Sequence, residues 1–330
     1  MAKLNCDCRL ANYSDILRQA LDKAGFTRVP ILSTDPGDTK HMHPGVSMLT
    51  AGTAVEAALM FTMLDILEEL LRKIRPYELH KGEAETVFNS CIKDIADASV
   101  SGLSKAVDAY KVAIERMGKI PYDRSTLKPR VLVTGELLVN FHPGTNYHIE
   151  EYLENHGCET VLPRMTNQFR KDFIAAMSEI RDFGVRMIPY SFALEKAFDT
   201  IEKKLARIAS EHPLYEEATA PAGLYEEVKS IIPKTLTCGE GWLMAGEIAH
   251  LAKEKVNSFV ILQPFGCLPN HVCGRGITKK LKEMFPDISI LPLDLDPDTS
   301  YANMENRLQM LIMNRNRFET AEGCHEPQHA

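Results

Sequence analysis

Hydrophobic residues in the last third of the chain follow first a strand pattern and then a helix pattern. Residues 258–262 (SFVIL) form a short apolar run, rich in β-branched and aromatic side chains, of the kind found in buried strands. The apolar residues that come next share one face of a helix: Ile277, Leu281, Met284 and Phe285. A second strand is predicted at residues 288–293. The loop at residues 263–276 then lies at the carboxyl end of a parallel strand, where open α/β sheets bind ligands.

A second βαβ pattern occurs near the middle of the chain. It consists of an apolar run at residues 130–134, a helix predicted over residues 147–155 and a strand at residues 159–162. The intervening loop carries Glu136 and His142. Glu136 is a candidate general acid or base and His142 a candidate ligand or proton donor. The alternative is that Glu136 accepts backbone hydrogen bonds in the turn and that His142 is a surface residue.

The first third of the chain is predicted to be mostly helical. A helix over residues 13–24 leads into a strand at residues 29–33, and helical patterns cover residues 48–75 and 84–117 as an antiparallel pair. No strand precedes the first helix, so this part is expected to be an incomplete α/β domain. Residues 121–129 contain two prolines and are typical of a linker.

The predicted fold is therefore α/β, with two flavodoxin-like or Rossmann-like parallel-sheet domains and a long helical insertion. Residues 1–125 are assigned to a partial α/β domain with the helical pair, and residues 126–330 to a doubly wound α/β domain.

Composition and charge narrow the function classes. The chain has 330 residues, of which 45% are hydrophobic, and a formal net charge of −7. No apolar run is long enough for a membrane span, and the N-terminus lacks a signal region, so a cytoplasmic location without membrane contact is expected. The negative charge argues against nucleic-acid binding, and neither a P-loop nor a G-x-G-x-x-G motif indicates ATP binding by this chain.

The cysteines suggest reduced thiols rather than a disulfide framework. They stand at positions 6, 8, 91, 158, 238, 267, 273 and 324, without a CxxC pair. Any metal site must therefore combine cysteines from distant segments. Cys267 lies in the loop QPFGCLPNHVCGRG, where backbone N–H groups, a helix N-terminus and Arg275 favour a thiolate. A small buried hydrophobic residue under a turn is the alternative for Cys267.

Four segments resemble one known family, the 2-hydroxyacyl-CoA dehydratase and dehydratase-activase-related family. They are CRLANYSDILRQALDKAGFTRVPILSTD at 8–35, VLVTGELLVNFHP at 131–143, CGEGWLMAGE at 238–247 and QPFGCLPNH at the start of a stretch spanning 263–311. The resemblance covers the C-terminal, dehydratase-like part of the family's larger forms and implies paired flavodoxin-type domains around an iron–sulfur cluster, of the 4Fe–4S type.

The resemblance also implies roles for individual residues. Cys8 and Cys267 match cysteines of the family's motifs and are expected cluster ligands. Cys6, Cys238 and Cys273 match no motif of the family, and each is a candidate for a further thiolate. From their position in the loops alone, Glu136, Asn270 and His271 are expected to orient the substrate or to transfer protons. The implied chemistry is reductive dehydration of an acyl-CoA or reduction of a small molecule, with electrons from a partner ATPase of the actin/Hsp70 type.

Three functions remain open at this stage. The chain is a dehydratase-type or reductase subunit beside an ATP-dependent activase, a non-catalytic assembly or electron-relay module, or a plain α/β small-molecule-binding protein. Family members carry a further strand, helix and cysteine ahead of the CR segment, which this sequence lacks. Either a split-gene partner or a homodimer is expected to complete the domain, or Cys6 takes the place of the absent ligand.

Overall fold

The computed structural model describes residues 12–31, 51–184, 191–296 and 300–322, and these contain four strands and twelve α-helices. The strands are β1 (Arg130–Gly135), β2 (Glu159–Val161), β3 (Ser258–Pro264) and β4 (Ser289–Leu295). The helices before β2 are α1 (Tyr13–Lys23), α2 (Ala51–Ile74), α3 (Glu83–Ser99), α4 (Leu103–Met117), α5 (Leu137–Phe141) and α6 (Ile149–Asn155). Those after β2 are α7 (Met165–Phe183), α8 (Ser191–Ala209), α9 (Pro221–Val228), α10 (Leu243–Lys253), α11 (Thr278–Met284) and α12 (Tyr301–Glu322).

The four strands form one parallel sheet in the order β2-β1-β3-β4. From β1 the chain winds to one side to reach β2, and from β3 it winds to the other side to reach β4. The winding direction therefore reverses between β1 and β3, and a crevice opens at the carboxyl ends of strands at such a point. The prediction of a parallel α/β fold is confirmed.

Both faces of the sheet are covered, which explains the continuous apolar runs in its strands. In β3, Phe259 and Ile261 pack with α9, α10 and α11 on one face. Val260 and Leu262 alternate with them and pack with α5, α6 and α12 on the other face. All four side chains are fully buried.

A third hydrophobic cluster lies among the helices α2, α3, α4 and α8. The prediction of one helix over residues 84–117 was wrong, because the chain turns at residues 100–102 and separates α3 from α4. Periodicity alone did not reveal this turn, since both helices continue the same apolar pattern.

Buried ion pairs join the helical layer to the sheet layer. Arg164, just after the β2 edge strand, contacts Glu69 of α2 at 2.8 Å and Glu202 of α8 at 2.9 Å. Arg72 of α2 contacts Glu150 of α6 at 2.9 Å. The helical layer is thus held against one edge of the sheet.

The expected second sheet is not present among the described residues. In the first 125 residues, the described ranges 12–31 and 51–125 contain helices and no sheet strand. The strand expected at residues 29–33 lies partly outside the described residues, and its described part, residues 29–31, is irregular. Division of the chain into two domains stays a prediction. Within the described ranges, no helix is long and apolar enough to span a lipid bilayer.

Candidate functional site

The candidate site is formed where β1 and β3 end side by side. Gly135, the last residue of β1, pairs with Leu262 of β3 and has a φ of +148°. A Cβ atom at this position would lie 1.9 Å from the Leu262 carbonyl oxygen. Glycine therefore permits the close approach that brings the loops after the two strands together.

The carbonyl oxygen of Leu262 ties these loops to each other. It accepts one hydrogen bond from the backbone N–H of Glu136 at 2.9 Å and another from the side-chain amide of Asn270 at 3.1 Å. One backbone acceptor thus fixes both the Glu136 turn and the turn that follows Cys267.

Glu136 is the N-cap of α5. Its side chain accepts a hydrogen bond from the Val139 backbone N–H at 2.9 Å, as the turn interpretation of this residue predicted. Burial raises the pKa of Glu136, and hydrogen bonds from the Val139 and Leu138 backbone oppose the rise. A role in proton transfer stays a prediction. His142 is exposed at the end of α5.

Cys267 is half-buried in a tight turn that leads into the π-helical segment Asn270–Gly274. Its thiol donates to Oδ1 of Asn270 at 3.4 Å. Asn270 is fully buried, and its Nδ2 donates to the carbonyl oxygen of Leu262. The side chain that accepts the Cys267 thiol hydrogen bond is therefore fixed to β3. Such π-helical turns occur often at functional sites.

His271 faces the neighbouring strand. Its Nδ1 lies 2.7 Å from the carbonyl oxygen of Cys267, which can only accept, so Nδ1 carries the hydrogen. Its Nε2 lies 3.6 Å from Asp294 at the end of β4. In the neutral ring, Nε2 is therefore the nitrogen with the lone pair, and it faces the carboxyl group of Asp294.

The loop that carries Cys238 packs against the loop that carries Cys267. A Cβ atom on Gly239 would lie 2.8 Å from the Pro269 side chain, so the backbone at Gly239 approaches the proline ring closely. Oε1 of Glu240 accepts a hydrogen bond from the Leu137 backbone N–H at 2.9 Å. Three loops thus meet at one place, although Leu137 and Glu240 are 103 positions apart in the sequence.

Two buried carboxyl groups, Glu240 and Glu247, lie next to these loops. They were not among the site residues predicted from the sequence. Burial raises the pKa of Glu240 to about 7 and that of Glu247 to about 8. Oε2 of Glu247 accepts a hydrogen bond from the Thr134 hydroxyl at 3.0 Å. The signal for Glu247 in the sequence was a glutamate within the apolar stretch LMAGEIA, and that for Glu240 was its position between two glycines, which indicates a tight loop.

Two buried amide side chains at the same end of the sheet have hydrogen-bonding atoms without a partner among the described residues. They are Oδ1 and Nδ2 of Asn140 and Oε1 of Gln263. Buried polar atoms are normally hydrogen-bonded. These amides can therefore take hydrogen bonds from a water molecule or a bound ligand.

The positions of the cysteines indicate which of them could hold the expected iron–sulfur cluster. Cys6 and Cys8 lie outside the described residues. Cys238 and Cys267 supply soft sulfur donors on loops that touch, which suits an iron–sulfur cluster. Burial raises the pKa of Cys273 to about 11, which disfavours its thiolate. Within the described ranges, no three His, Cys, Asp or Glu side chains form a metal-binding group, so a complete ligand set needs cysteines from elsewhere.

Comparisons with protein-family models, with curated proteins and with solved structures found no match for this chain.

Proposed function

We propose that this protein is an iron–sulfur protein of the 2-hydroxyacyl-CoA dehydratase type, which receives low-potential electrons from an ATP-dependent activase. The observation that carries the proposal is the contact between the CGEG and CLPNH loops, made by Gly239 and Pro269. Both loops belong to the segments that resemble the family, and each brings a cysteine to the point where the sheet reverses its winding. Cytoplasmic conditions, which keep thiols reduced, fit such a site.

The proposed ligands are Cys8 and Cys267, with Cys238 and Cys6 as further thiolates. When bound, the cluster supplies single electrons for reductive dehydration of an acyl-CoA or for reduction of a small molecule. The protein part binds and orients the substrate and moves protons. His271 is suited to proton exchange through Nε2, while Asn270 holds Cys267 in place.

Glu136 contributes in a different way. Its carboxyl group is bonded to the start of α5, and its raised pKa favours the protonated form more than in water. A protonated Glu136 would donate a hydrogen bond to a substrate oxygen at the mouth of the crevice. The proposed partner, a split-gene subunit or a second copy of the chain, would complete the domain around these ligands.

The test is the iron and acid-labile sulfide content of protein purified and reconstituted without oxygen, together with its visible spectrum. We expect stoichiometric iron and sulfide in the unmodified chain and strong loss in C267S and C8S. C91A is the matched control, because Cys91 is buried in the helical cluster away from the site. Full iron content in C267S, or an iron-free wild-type protein after reconstitution, would contradict the proposal.

A second experiment separates catalysis from electron relay. The reconstituted protein is combined with an activase, ATP and a 2-hydroxyacyl-CoA, and loss of water from the substrate is measured. Turnover by this chain with the activase alone indicates a catalytic subunit. Turnover only after addition of a further subunit indicates a relay or assembly role.

A further inference from the structure

A buried lysine of α7 holds the segment that leads to Cys238. The side chain of Lys171 is only 2% exposed, which is rare for lysine unless its ammonium group is paired. Nζ donates to the carbonyl oxygen of Thr237 at 2.7 Å and to Oδ1 of Asp172 at 2.6 Å. Lys171 is thus bonded to the backbone of the residue immediately before Cys238.

A second residue of α7 also forms a hydrogen bond with Thr237. The hydroxyl of Thr237 donates to Oε1 of Glu179 at 2.7 Å. Lys171 and Glu179 are eight positions apart on α7, a spacing that places them on one face of the helix. Helix α7 therefore fixes both the carbonyl group and the side chain of Thr237.

The residues after Cys238 are fixed from the opposite side. Gly239 packs on Pro269, and Glu240 accepts the hydrogen bond from Leu137. Cys238 is therefore placed between an anchor on α7 and an anchor on the loop of Cys267. Its position relative to Cys267 depends on both.

The positive charge of Lys171 also acts on a buried group of the site. Burial raises the pKa of Cys273, and the ammonium group of Lys171 partly opposes this rise. A fixed positive charge here stabilises nearby anions, including thiolates.

We infer that Lys171 is a positioning residue of the candidate site, which holds Cys238 through the Thr237 carbonyl so that Cys238 and Cys267 bind one metal centre together. The metal in this inference rests on the proposed function. The anchoring of the backbone on both sides of Cys238 does not, because those contacts involve the protein alone.

The experiment measures the position of Cys238 relative to Cys267 and the binding of the metal separately. In metal-free protein, dibromobimane becomes fluorescent when it joins two neighbouring thiols, and peptide mass spectrometry identifies the Cys238–Cys267 product. Loss of a hydrogen bond from a charged donor predicts that K171M forms this product about tenfold more slowly. K171R keeps a charged donor and is expected to recover part of the rate.

The matched control is K229M, because Lys229 is an exposed lysine that pairs with Glu226 at the surface. We expect its cross-linking rate to equal that of the wild type. Iron content after reconstitution is measured on the same variants and is expected to fall in K171M and not in K229M. Circular dichroism verifies that each variant is folded.

A second variant keeps the inference testable if K171M does not fold. T237V removes the hydroxyl bond to Glu179 and leaves the carbonyl group, so a smaller slowing in the same direction is expected. The inference is overturned if the wild type gives no Cys238–Cys267 product, if folded K171M reacts at the wild-type rate, or if K171M fails to fold and T237V reacts normally. Slow cross-linking in K171M with an iron-free wild type would refute the proposed function and leave the positioning role intact.

Discussion

The side-chain amide of Asn270 donates a hydrogen bond to the carbonyl oxygen of Leu262, the residue through which β3 pairs with the end of β1. The same amide accepts the hydrogen bond of the Cys267 thiol. One buried side chain therefore links the orientation of a candidate metal ligand to the sheet. A change at this position is expected to disturb both.

N270A is expected to lower the free energy of unfolding by about 1–3 kcal/mol, because a fully buried hydrogen-bonding side chain is lost. Urea denaturation measures this change. N303A is the control, since Asn303 is an exposed residue of α12. Equal stability of N270A and N303A would show that the Asn270 amide contributes nothing to the loop.

Glu247 is expected to make stability fall as the pH rises. Burial raises its pKa from 4.5 to about 8 in the folded protein, so between these values the folded chain keeps a proton that the unfolded chain releases. Rising pH therefore favours unfolding over this window, by about 1.4 kcal/mol per pH unit for one proton. Below about pH 4.5 both states are protonated, and the contribution no longer changes.

E247Q removes this dependence. The free energies of unfolding of the wild type and of E247Q are measured at pH 5, 6, 7 and 8. As the pH rises, the wild type should lose stability relative to E247Q. E283Q, which changes an exposed glutamate of α11, should follow the wild type. Parallel pH profiles for wild type and E247Q would contradict the raised pKa.

Arg170 holds two glutamates of α8 and is expected to be important for stability. Its side chain is 2% exposed and lies 2.6 Å from Glu195 and 2.5 Å from Glu202. R170M would leave Glu195 without its arginine and Glu202 with Arg164 alone, and it is expected to lower the free energy of unfolding by about 3–5 kcal/mol.

The control for Arg170 lies on the same helix. Arg181 forms an exposed pair with Asp182, so R181M is expected to leave the thermal unfolding midpoint unchanged. A similar loss of stability in R170M and R181M would show that the buried ion pairs of Arg170 stabilise the fold no more than an exposed pair does.

G239A is expected to separate the two cysteine loops. The new methyl group would lie 2.8 Å from the Pro269 side chain, and the residue has a φ of +59°, so the loop must shift. We expect less iron after anaerobic reconstitution. The double variant G239A/P269A removes the opposing ring and should regain part of the iron content, whereas equal iron in all three proteins would show that this contact does not set the site.

Local patterns in the sequence determined the sheet strands and the placement of the Cys267 loop. The four strands lie where apolar runs predicted them, because strands buried on both faces need continuous hydrophobic sequence. The position of residues 263–276 after β3 followed from the same reasoning, since the next apolar residues recur with helical spacing.

The tertiary structure alone decided which residues meet. The order β2-β1-β3-β4 places Glu136 beside Asn270, and packing of Gly239 on Pro269 brings Cys238 to the loop of Cys267. Neither contact has a signature in local periodicity, because each joins segments that are far apart in the chain. The burial of Lys171 and the raised pKa of Glu247 likewise depend on what packs around them, which is a property of the folded protein and not of the neighbouring sequence.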